Sequence, residues 1–531
     1  MKRKTGKYIL AIDLGTSGPK VALVSTEGKI VDHEVEKTGL LVFEDGGVEQ
    51  NPDDWWNAII RATRQLLKRG LVSKQDIAAI SCTTQWSGTV AVDRRGQPLM
   101  NAISWMDSRG APEVQRICKG IVNIEGYGLL KLKRWLRLTG GVPGLSGKDP
   151  VGHILFIKNK LPNVYEQTYK FLEPKDYINL RLTGQFAASY DSIILHWVTD
   201  NRDISRIAYD RRLLKMASLE REKLPDLKQA TDILGPLKLE IAEELGLNKD
   251  IPVIVGTPDI QSAAIGSGAV RDYQAHLYIG TSSWLSCHVP FKKADLLHKI
   301  ATLPSAIPGR YFVANEQQTA GSSLNFLRQW LLNDWKQTKA QTNGQSDFEI
   351  LDHLAESVTA GSNKVIFSPW LNGERCPVEN QTLRGGFYNL ALNTRQAHLI
   401  RAVYEGVAYN SRWLLQYVEK FVKRQFDQIH MIGGGANSDV WCQIHADVLN
   451  RPIRQMTDPV LANARGAGLL ASVALGYLTF DDIAAYVEIH KTYDPNPKSQ
   501  ATYDELFSEF VNIYKNNKKM YARLNRVRAR N

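Results

Sequence analysis

Two short polar turns interrupt apolar runs in this 531-residue chain, and both carry groups suited to holding phosphate. The first, Asp13-Leu14-Gly15-Thr16-Ser17-Gly18-Pro19-Lys20, breaks AIDLGTSGPKVALV between stretches that read as two strands of a hairpin. The second, Gly280-Thr281-Ser282, stands in HLYIGTSSWLSC in the same setting. A tight glycine turn exposes backbone N–H groups and adjacent hydroxyls add donors, so either turn could hold phosphate oxygens, with Lys20 adding charge. Hairpins without a ligand use the same residues, and either turn alone leaves both readings open. A third group is Asp259, in VIVGTPDIQSAAIGSG, just past an apolar strand and at the mouth of a helix of small residues. It reads either as a helix cap or as a carboxylate base whose pKa the helix terminus keeps low. Such a base can take a hydroxyl proton during phosphoryl transfer, a chemistry that rests on positioning and charge stabilisation. Lastly, Gly433-Gly434-Gly435-Ala436-Asn437-Ser438 follows the strand QIHMI. Three glycines there permit flat contact with a planar ring or a close approach to phosphate, a plain loop being the alternative.

The elements around these groups suggest how they are positioned. EQNPDDWWNAIIRATRQLLKRG has a good helix start at Asn51-Pro52-Asp53 and apolar residues at helical spacing. DIAAISCTT suits a buried strand ending in Gln85-Trp86-Ser87-Gly88, and TVAVDRRGQPLMNAISW reads as a hairpin turning at Arg94-Arg95-Gly96. The Gly- and Lys-rich stretch from Gly120 to Gly152 reads as an irregular, lid-like insertion. Strand–helix–strand order recurs, which favours an α/β class with mixed sheets. Each half also closes with a small-residue helix, SAAIGSGAV and GAGLLASVALG. The expected architecture is two related α/β domains, residues 1–270 and 271–531, facing each other across a cleft.

Composition narrows the function classes. Hydrophobic content of 43% and charged content of 23% are those of a globular protein, and no apolar run nears the roughly 20 residues of a membrane span. The basic, then apolar, N-terminus lacks a cleavage site and reads as a first strand, so a cytoplasmic protein without membrane partners is expected. The five scattered cysteines form no C-x-x-C pair and read as reduced, buried thiols. The net charge of +11 is diffuse apart from Lys515–Asn531, which reads as a solvated helix face or tail, and no nucleic-acid partner is inferred. The sequence has no G-x-x-x-x-G-K-[ST] and no G-x-G-x-x-G after its first strand, which argues against an ordinary P-loop or a dinucleotide fold.

Taken in order, these motifs resemble the FGGY family of carbohydrate kinases, of the actin/hexokinase-type ATPase superfamily. IDLGTSGPK and YIGTSSW resemble its two phosphate motifs, GTPDIQSAAIGSG its catalytic-aspartate motif, and MIGGGANSDVWCQIHADVLNRPI its adenosine motif. FSPWLNGERCPVENQTLRGGFYNLALNTRQAHLIRAVYEGVAYNSR resembles its long second-domain signature. The resemblance implies two actin-like (ribonuclease H-like) ATPase domains whose closing excludes water. It implies ATP and Mg2+, with Asp13 and Asp259 at the metal. Thr16, Ser17 and Lys20 would meet the phosphates from one side and Gly280 and Thr281 from the other, with Gly321 also at the nucleotide. Gly434, Gly435 and Ala436 would line the adenine pocket, with Asn325 and Ser438 nearby, and Asp259 would be the general base. Substrate residues would come from Gln85, Trp86 and Ser87, from Trp105 and Asp107 of W-x-D-x-R, and from Ile260 and Gln261. Glycerol kinases carry Arg-Glu where this chain has Trp86-Ser87, whereas xylulose kinases share its Gln-x-x-Gly frame. A ketopentose such as D-xylulose is therefore the expected substrate, with a homodimer an allowed assembly. Xylulose kinases usually place Asn where this chain has Ile260, so either a sugar hydroxyl goes unrecognised or Gln261 takes over that contact. The alternatives are another ketose or polyol kinase, or an actin-like ATPase that phosphorylates nothing. The ATPase would need neither Asp259 aimed at a substrate nor the W-x-D-x-R element.

Overall fold

The computed structural model describes residues 6–331 and 346–525. Tyr8–Gly15 (β1) and Gly18–Ser25 (β2) pair antiparallel, with Asp13 opposite Lys20 and Gly15 opposite Gly18. Most of the first polar stretch, Asp13 to Lys20, is thus the last rungs of a hairpin, and only Thr16 and Ser17 form the turn. Gly18 has φ +131°, and a Cβ there would run into the Glu36 carbonyl, so this rung requires glycine. Ile30–Val35 (β3) continues the sheet on β2. The helix Pro52–Lys68 (α1) starts where expected, with the Asn51 side chain accepting from the Asp53 N–H, and buries Trp55, Ile59 and Leu66. Ile77–Thr84 (β4) pairs parallel with β1. Pro174–Thr183 (α2), Ile233–Pro236 (β5), Pro252–Ile254 (β6) and Asp259–Gly266 (α3) complete this half. The sheet runs β5-β6-β4-β1-β2-β3.

The second half repeats the plan. Its elements are Ala275–Ile279 (β7), Ser283–Ser286 (β8), Gln396–Val422 (α4), Ile429–Ile432 (β9), Asp439–Leu449 (α5), Ile453–Met456 (β10), Ala462–Ala474 (α6) and Ile489–Tyr493 (β11). The order is β8-β7-β9-β10-β11. Each sheet has an antiparallel hairpin, two further strands parallel to its first strand, and an antiparallel strand beyond them. The sequence-level echo of two Gly-Thr-Ser turns and two small-residue helices is therefore an echo of topology.

Those two helices join the halves. α6, from the second half, lies on the first sheet: Ala464 and Ala467 pack with Ala11, Ala22 and Val24, and Ala471 with Ile9, Ala79 and Ile254. α3, from the first half, packs through Ala263, Ala264 and Ile265 in a cluster with Ile432 and Met456 of the second sheet. The helices touch backbone to backbone. A Cβ on Gly266 would strike the Ala462 carbonyl, and one on Gly466 the Ser262 carbonyl. The Ser262 hydroxyl donates to the Asn463 carbonyl at 2.8 Å across the crossing.

The structure corrects one expectation and refines others. The stretch from Gly120 to Gly152 is not an irregular insertion. It holds a short hairpin and a helix, Leu129–Leu138, whose Leu132, Trp135 and Leu138 join a core with Val114, Ile154 and Phe171. Lys133, Arg134 and Arg137 between those apolar positions hid the helical spacing. The turn at Arg94-Arg95-Gly96 forms as expected, closed by Asp93 and Gln97. All five cysteines are buried and free. Among the described residues no helix is long and apolar enough to cross a membrane. The basic C-terminal stretch supplies the last turns of the helix Pro497–Asn525, and its residues 526–531 lie outside the described residues.

Because nothing at the α3–α6 crossing can give way except backbone, Gly466→Ala is expected to destabilise the fold by about 3 kcal/mol. Urea unfolding of the variant against the parent reads this directly, and an unchanged midpoint would refute the crossing as a rigid contact.

Candidate active site

At the first turn, Asp13 is buried, with 1% of its surface exposed, and Lys20 Nζ donates to its Oδ2 at 2.8 Å. The Asp13 charge holds the Lys20 ammonium above its usual pKa. Asp13 Oδ1 is buried and accepts from no group among the described residues. Among the described residues no group of the chain accepts from the Thr16 and Ser17 amides, nor from those of Thr281 and Ser282 in the second turn. Each turn therefore offers two unused N–H donors. The Thr16 hydroxyl, expected to face phosphate, is otherwise engaged: it donates to Gln85 Oε1 at 2.9 Å and accepts from Trp105 Nε1 at 3.1 Å. Gln85 in turn donates to Gln50 Oε1 at 2.7 Å, and Gln50 donates back to the Thr16 carbonyl at 2.9 Å. This closed circuit ties the turn to the Gln85–Gly88 segment.

The second turn is braced from below. Gly321 N–H donates to the Gly280 carbonyl at 2.8 Å, and the Ser322 hydroxyl donates to the Thr281 carbonyl at 2.9 Å. Gly321 thus supports the turn through its backbone, and a Cβ there would meet the Gly280 carbonyl at 2.5 Å. Asn325, one helical turn further on, is exposed. Tyr278 lies under Gly280 and stacks flat on Trp284, ring centroids 3.9 Å apart. The charges of Lys20, Asp13 and Asp259 all act on its phenol, which marks where the two halves meet.

Asp259 is the first residue of α3, after the cap position, which Pro258 takes. The helix-cap reading therefore fails: among the described residues its Oδ1 accepts only from the Ile260 N–H, at 2.8 Å. The low pKa expected from the helix terminus is also overturned. Burial first, and then the negative charge of Asp13, push the carboxyl up to about 7. Lys20 acts in the opposite direction and is outweighed. Ile260 joins an apolar cluster on which Trp86 and Tyr278 also pack. Gln261 does not take over a polar contact. Its Nε2 donates to the Pro304 carbonyl at 3.2 Å and its Oε1 accepts from the Ala306 N–H at 2.6 Å, so both ends hold a loop.

The segment after β4 is held in place by a buried polar group centred on α2. Trp86 Nε1 donates to the Ser192 carbonyl at 3.0 Å, the Ser87 hydroxyl to the Lys148 carbonyl at 2.9 Å, and the Gly88 N–H to Glu173 at 3.2 Å. Lys175 and Asn179 of α2 both donate to the Val255 carbonyl, at 3.0 and 2.7 Å, and the Thr257 hydroxyl bonds to Asp191. The substrate-side segment and the loop leading to Asp259 therefore share one anchor. Asp107 is a structural group rather than a pocket group. Its carboxylate accepts from the Val48 and Arg109 N–H groups and from the Arg109 guanidinium, which also grips Glu49.

At the glycine-rich turn, Gly434 is exposed and nothing lies within 4 Å of where its Cβ would be, so one face of the turn is open. Gly435 backs onto Ile279. Ala436 sits fully buried in the core beneath, which corrects its placement in a pocket wall. Ser438 caps α5, accepting from the Trp441 N–H at 3.1 Å, and donates to Asp352 at 2.8 Å.

Four neighbours of the site escaped the sequence reading: Tyr278, Glu316, Lys148 and Arg375. Glu316 is paired with Arg375, and its charge reaches both Asp259 and Lys148. The Lys148 ammonium has no hydrogen-bond or ion-pair partner among the described residues. Burial, and then the Arg375 charge, hold its pKa down. It stood in a stretch read as irregular, where no local pattern points to a pocket.

Comparison with known proteins agrees with this geometry. Residues 8–266 match the N-terminal domain of the FGGY family of carbohydrate kinases and residues 277–475 its C-terminal domain. The chain is 28% identical to a xylulose kinase of Lactococcus lactis subsp. lactis over 518 residues, covering 96% of this chain and 97% of that one. It is 25% identical to a gluconokinase of Bacillus subtilis over 513 residues, 95% of each. The ligand-bound crystal structure of a xylulose kinase from Lactobacillus acidophilus superposes with a TM-score of 0.84 at 26% identity, covering 98% of this chain and all of that one. Two sheets of one plan, a carboxylate between two phosphate-type turns, and matches across both halves lead to one conclusion: the chain belongs to the FGGY family of carbohydrate kinases, actin-like two-domain enzymes that pass a phosphoryl group to a sugar hydroxyl.

Proposed function

We propose that the chain transfers the γ-phosphoryl group of ATP to a hydroxyl of a ketopentose such as D-xylulose, with Asp259 as the general base. The observation that carries this is the place of Asp259, first residue of α3 at the junction of the halves, with one carboxylate oxygen free of hydrogen bonds among the described residues and a pKa that burial and Asp13 raise. A carboxylate of that basicity can accept the hydroxyl proton as the new O–P bond forms, without being wholly protonated near neutral pH. The unused amides at Thr16, Ser17, Thr281 and Ser282 suit phosphate oxygens, with Lys20 as a point charge. The open face at Gly434 suits the adenine ring. The orphaned Asp13 Oδ1, with Asp259, fits Mg2+, which when bound would neutralise phosphate charge. Lys20 and Asp13 hold each other in register, and the Thr16–Gln85 circuit keeps the phosphate turn and acceptor segment in step. Ile260 with Trp86 offers an apolar floor to the C–H face of a sugar. The domain boundary falls near residue 270, and the reaction is placed in the cytoplasm.

D-Xylulose is favoured by the Gln85-x-x-Gly88 frame and by the xylulose kinases among the relatives. One observation favours a second acceptor. The partnerless Lys148 ammonium, whose backbone is tied to Ser87, suits a carboxylate, and gluconokinases match nearly as well. If the acceptor is a sugar acid, D-gluconate drives ADP release and Lys148→Met raises KM for it about tenfold or more. If it is a ketopentose, D-xylulose alone drives ADP release in both proteins.

Asp259→Asn is expected to lower sugar-dependent ADP release by at least about 1000-fold while calorimetry still records ATP binding. Wild-type turnover in this variant would sink the assignment. With Asp259 as the base, kcat/KM rises with pH as the carboxyl ionises and then levels off, with the midpoint shifted downward when Mg2+ is bound, because only the ionised carboxyl accepts a proton. The same shift opposes folding. Between 3.8 and about 7 the native state keeps a proton that the unfolded chain has lost, so this group's contribution to stability falls as pH rises through that window. Asp259→Asn should flatten the pH dependence of the urea midpoint there.

A further inference from the structure

A second polar site lies on the flank of the first half. A cavity of about 220 Å³ is lined by Arg94, Arg95, Arg181 and Lys238, with Glu240 as its one carboxylate and Leu180 at its base. None of these residues belongs to the site described above. Their existing partners leave charge over. Arg181 is held by Asp53 at 3.0 Å and by the Tyr177 hydroxyl at 2.7 Å, and Lys238 is 3.7 Å from Glu240. Arg94 lies over the Tyr169 ring, 4.9 Å from its centroid, and meets no carboxylate among the described residues. The Arg95 side chain has no hydrogen-bond or ion-pair partner among the described residues. Gathering like charges round a hollow costs free energy unless an anion fills it.

The turn that carries Arg94 and Arg95 is fixed at its backbone, and both side chains are exposed. Asp93 accepts from the N–H groups of Arg95 and Gln97 at 2.8 Å each, which locks the turn. Gly96 at its tip has φ +79° and rests on Leu180, whose Cδ2 would be 3.1 Å from a Cβ there. Two guanidiniums on a fixed turn, facing a third and an ammonium, match the forked geometry of phosphate oxygens better than a single carboxylate. The volume lies below the roughly 300 Å³ at which pockets for drug-sized ligands begin. It suits phosphate, pyrophosphate or a small sugar phosphate.

We propose that this cavity binds a small phosphate-bearing metabolite, separately from the nucleotide. Its floor and one wall come from the C-terminal end of α2, whose other residues, Lys175 and Asn179, hold the Val255 carbonyl ahead of Asp259. An anion bound there therefore touches the helix that carries the base loop. The binding inference stands on the cavity and does not need the kinase reading.

The test is calorimetry on the full chain, with the cleft first saturated by a non-hydrolysable ATP analogue and Mg2+. Inorganic phosphate, pyrophosphate and D-ribose 5-phosphate are then titrated at constant ionic strength, which separates binding from screening. Saturable binding of one equivalent is expected for at least one of them, and the strongest identifies the source as free phosphate or sugar phosphate. The Arg95→Ala, Lys238→Ala double variant should bind that anion about tenfold or more weakly, with analogue affinity and anion-free kcat unchanged. Equal affinity in the double variant, or no saturable binding of any of the three, overturns the proposal. Failure of the ATP analogue to bind would count against the nucleotide reading alone.

Discussion

The structure depends on the crossing of α3 and α6. Each helix follows the third strand of its own half's parallel set, yet α6 lies on the first sheet and α3 packs with residues of the second. Two helices so exchanged can meet only if their backbones touch, and Gly266 and Gly466 remove the side chains that would keep them apart. Because the halves share one plan, this back-to-back contact brings the two Gly-Thr-Ser hairpins to the same side. It also delivers Asp259, the first residue of α3, between them. The position of the candidate base follows from the helix packing that joins the halves.

Electrostatics at that junction follow from what was buried. Asp13 is almost fully enclosed but has only Lys20 to balance it, and its second oxygen is left without a donor. A buried carboxylate in that condition raises the cost of ionising any neighbour, and Asp259 is the neighbour. The helix terminus favours ionisation, as does Lys20, but burial and like charge outweigh them. The strained pair is the kind of arrangement that a divalent cation and phosphate oxygens would relieve, so the site is least comfortable when empty of charge partners.

The polar anchors around the site are shared rather than separate. The Thr16–Gln85–Gln50 circuit joins the first phosphate-type turn to the segment after β4, and α2 with Ser192 and Asp191 joins that segment to the loop before Asp259. These buried groups have few alternatives once water is excluded, so each bond fixes the next. Residues such as Thr16, Asp107, Gln261 and Ser438, which look by type like ligand contacts, serve in this structure as struts.

The sequence by itself determined the local elements and the family. The Asn51 cap, the apolar runs of β1, β4 and β7, and the glycine turns are decided by contacts a few residues apart, and such patterns survive in one dimension. The motifs in order were enough to indicate two related domains and phosphoryl-transfer chemistry. Only the tertiary structure decided what each polar side chain does. Whether a Gln faces a pocket or a carbonyl 43 residues away, as Gln261 does, depends on which backbone packs beside it. The pKa of Asp259 likewise depends on Asp13, 246 positions earlier, and on burial that no local pattern encodes. The helix Leu129–Leu138 and the partnerless Lys148 were hidden for the same reason, since long-range packing overrode a Gly- and Lys-rich composition that reads locally as loop.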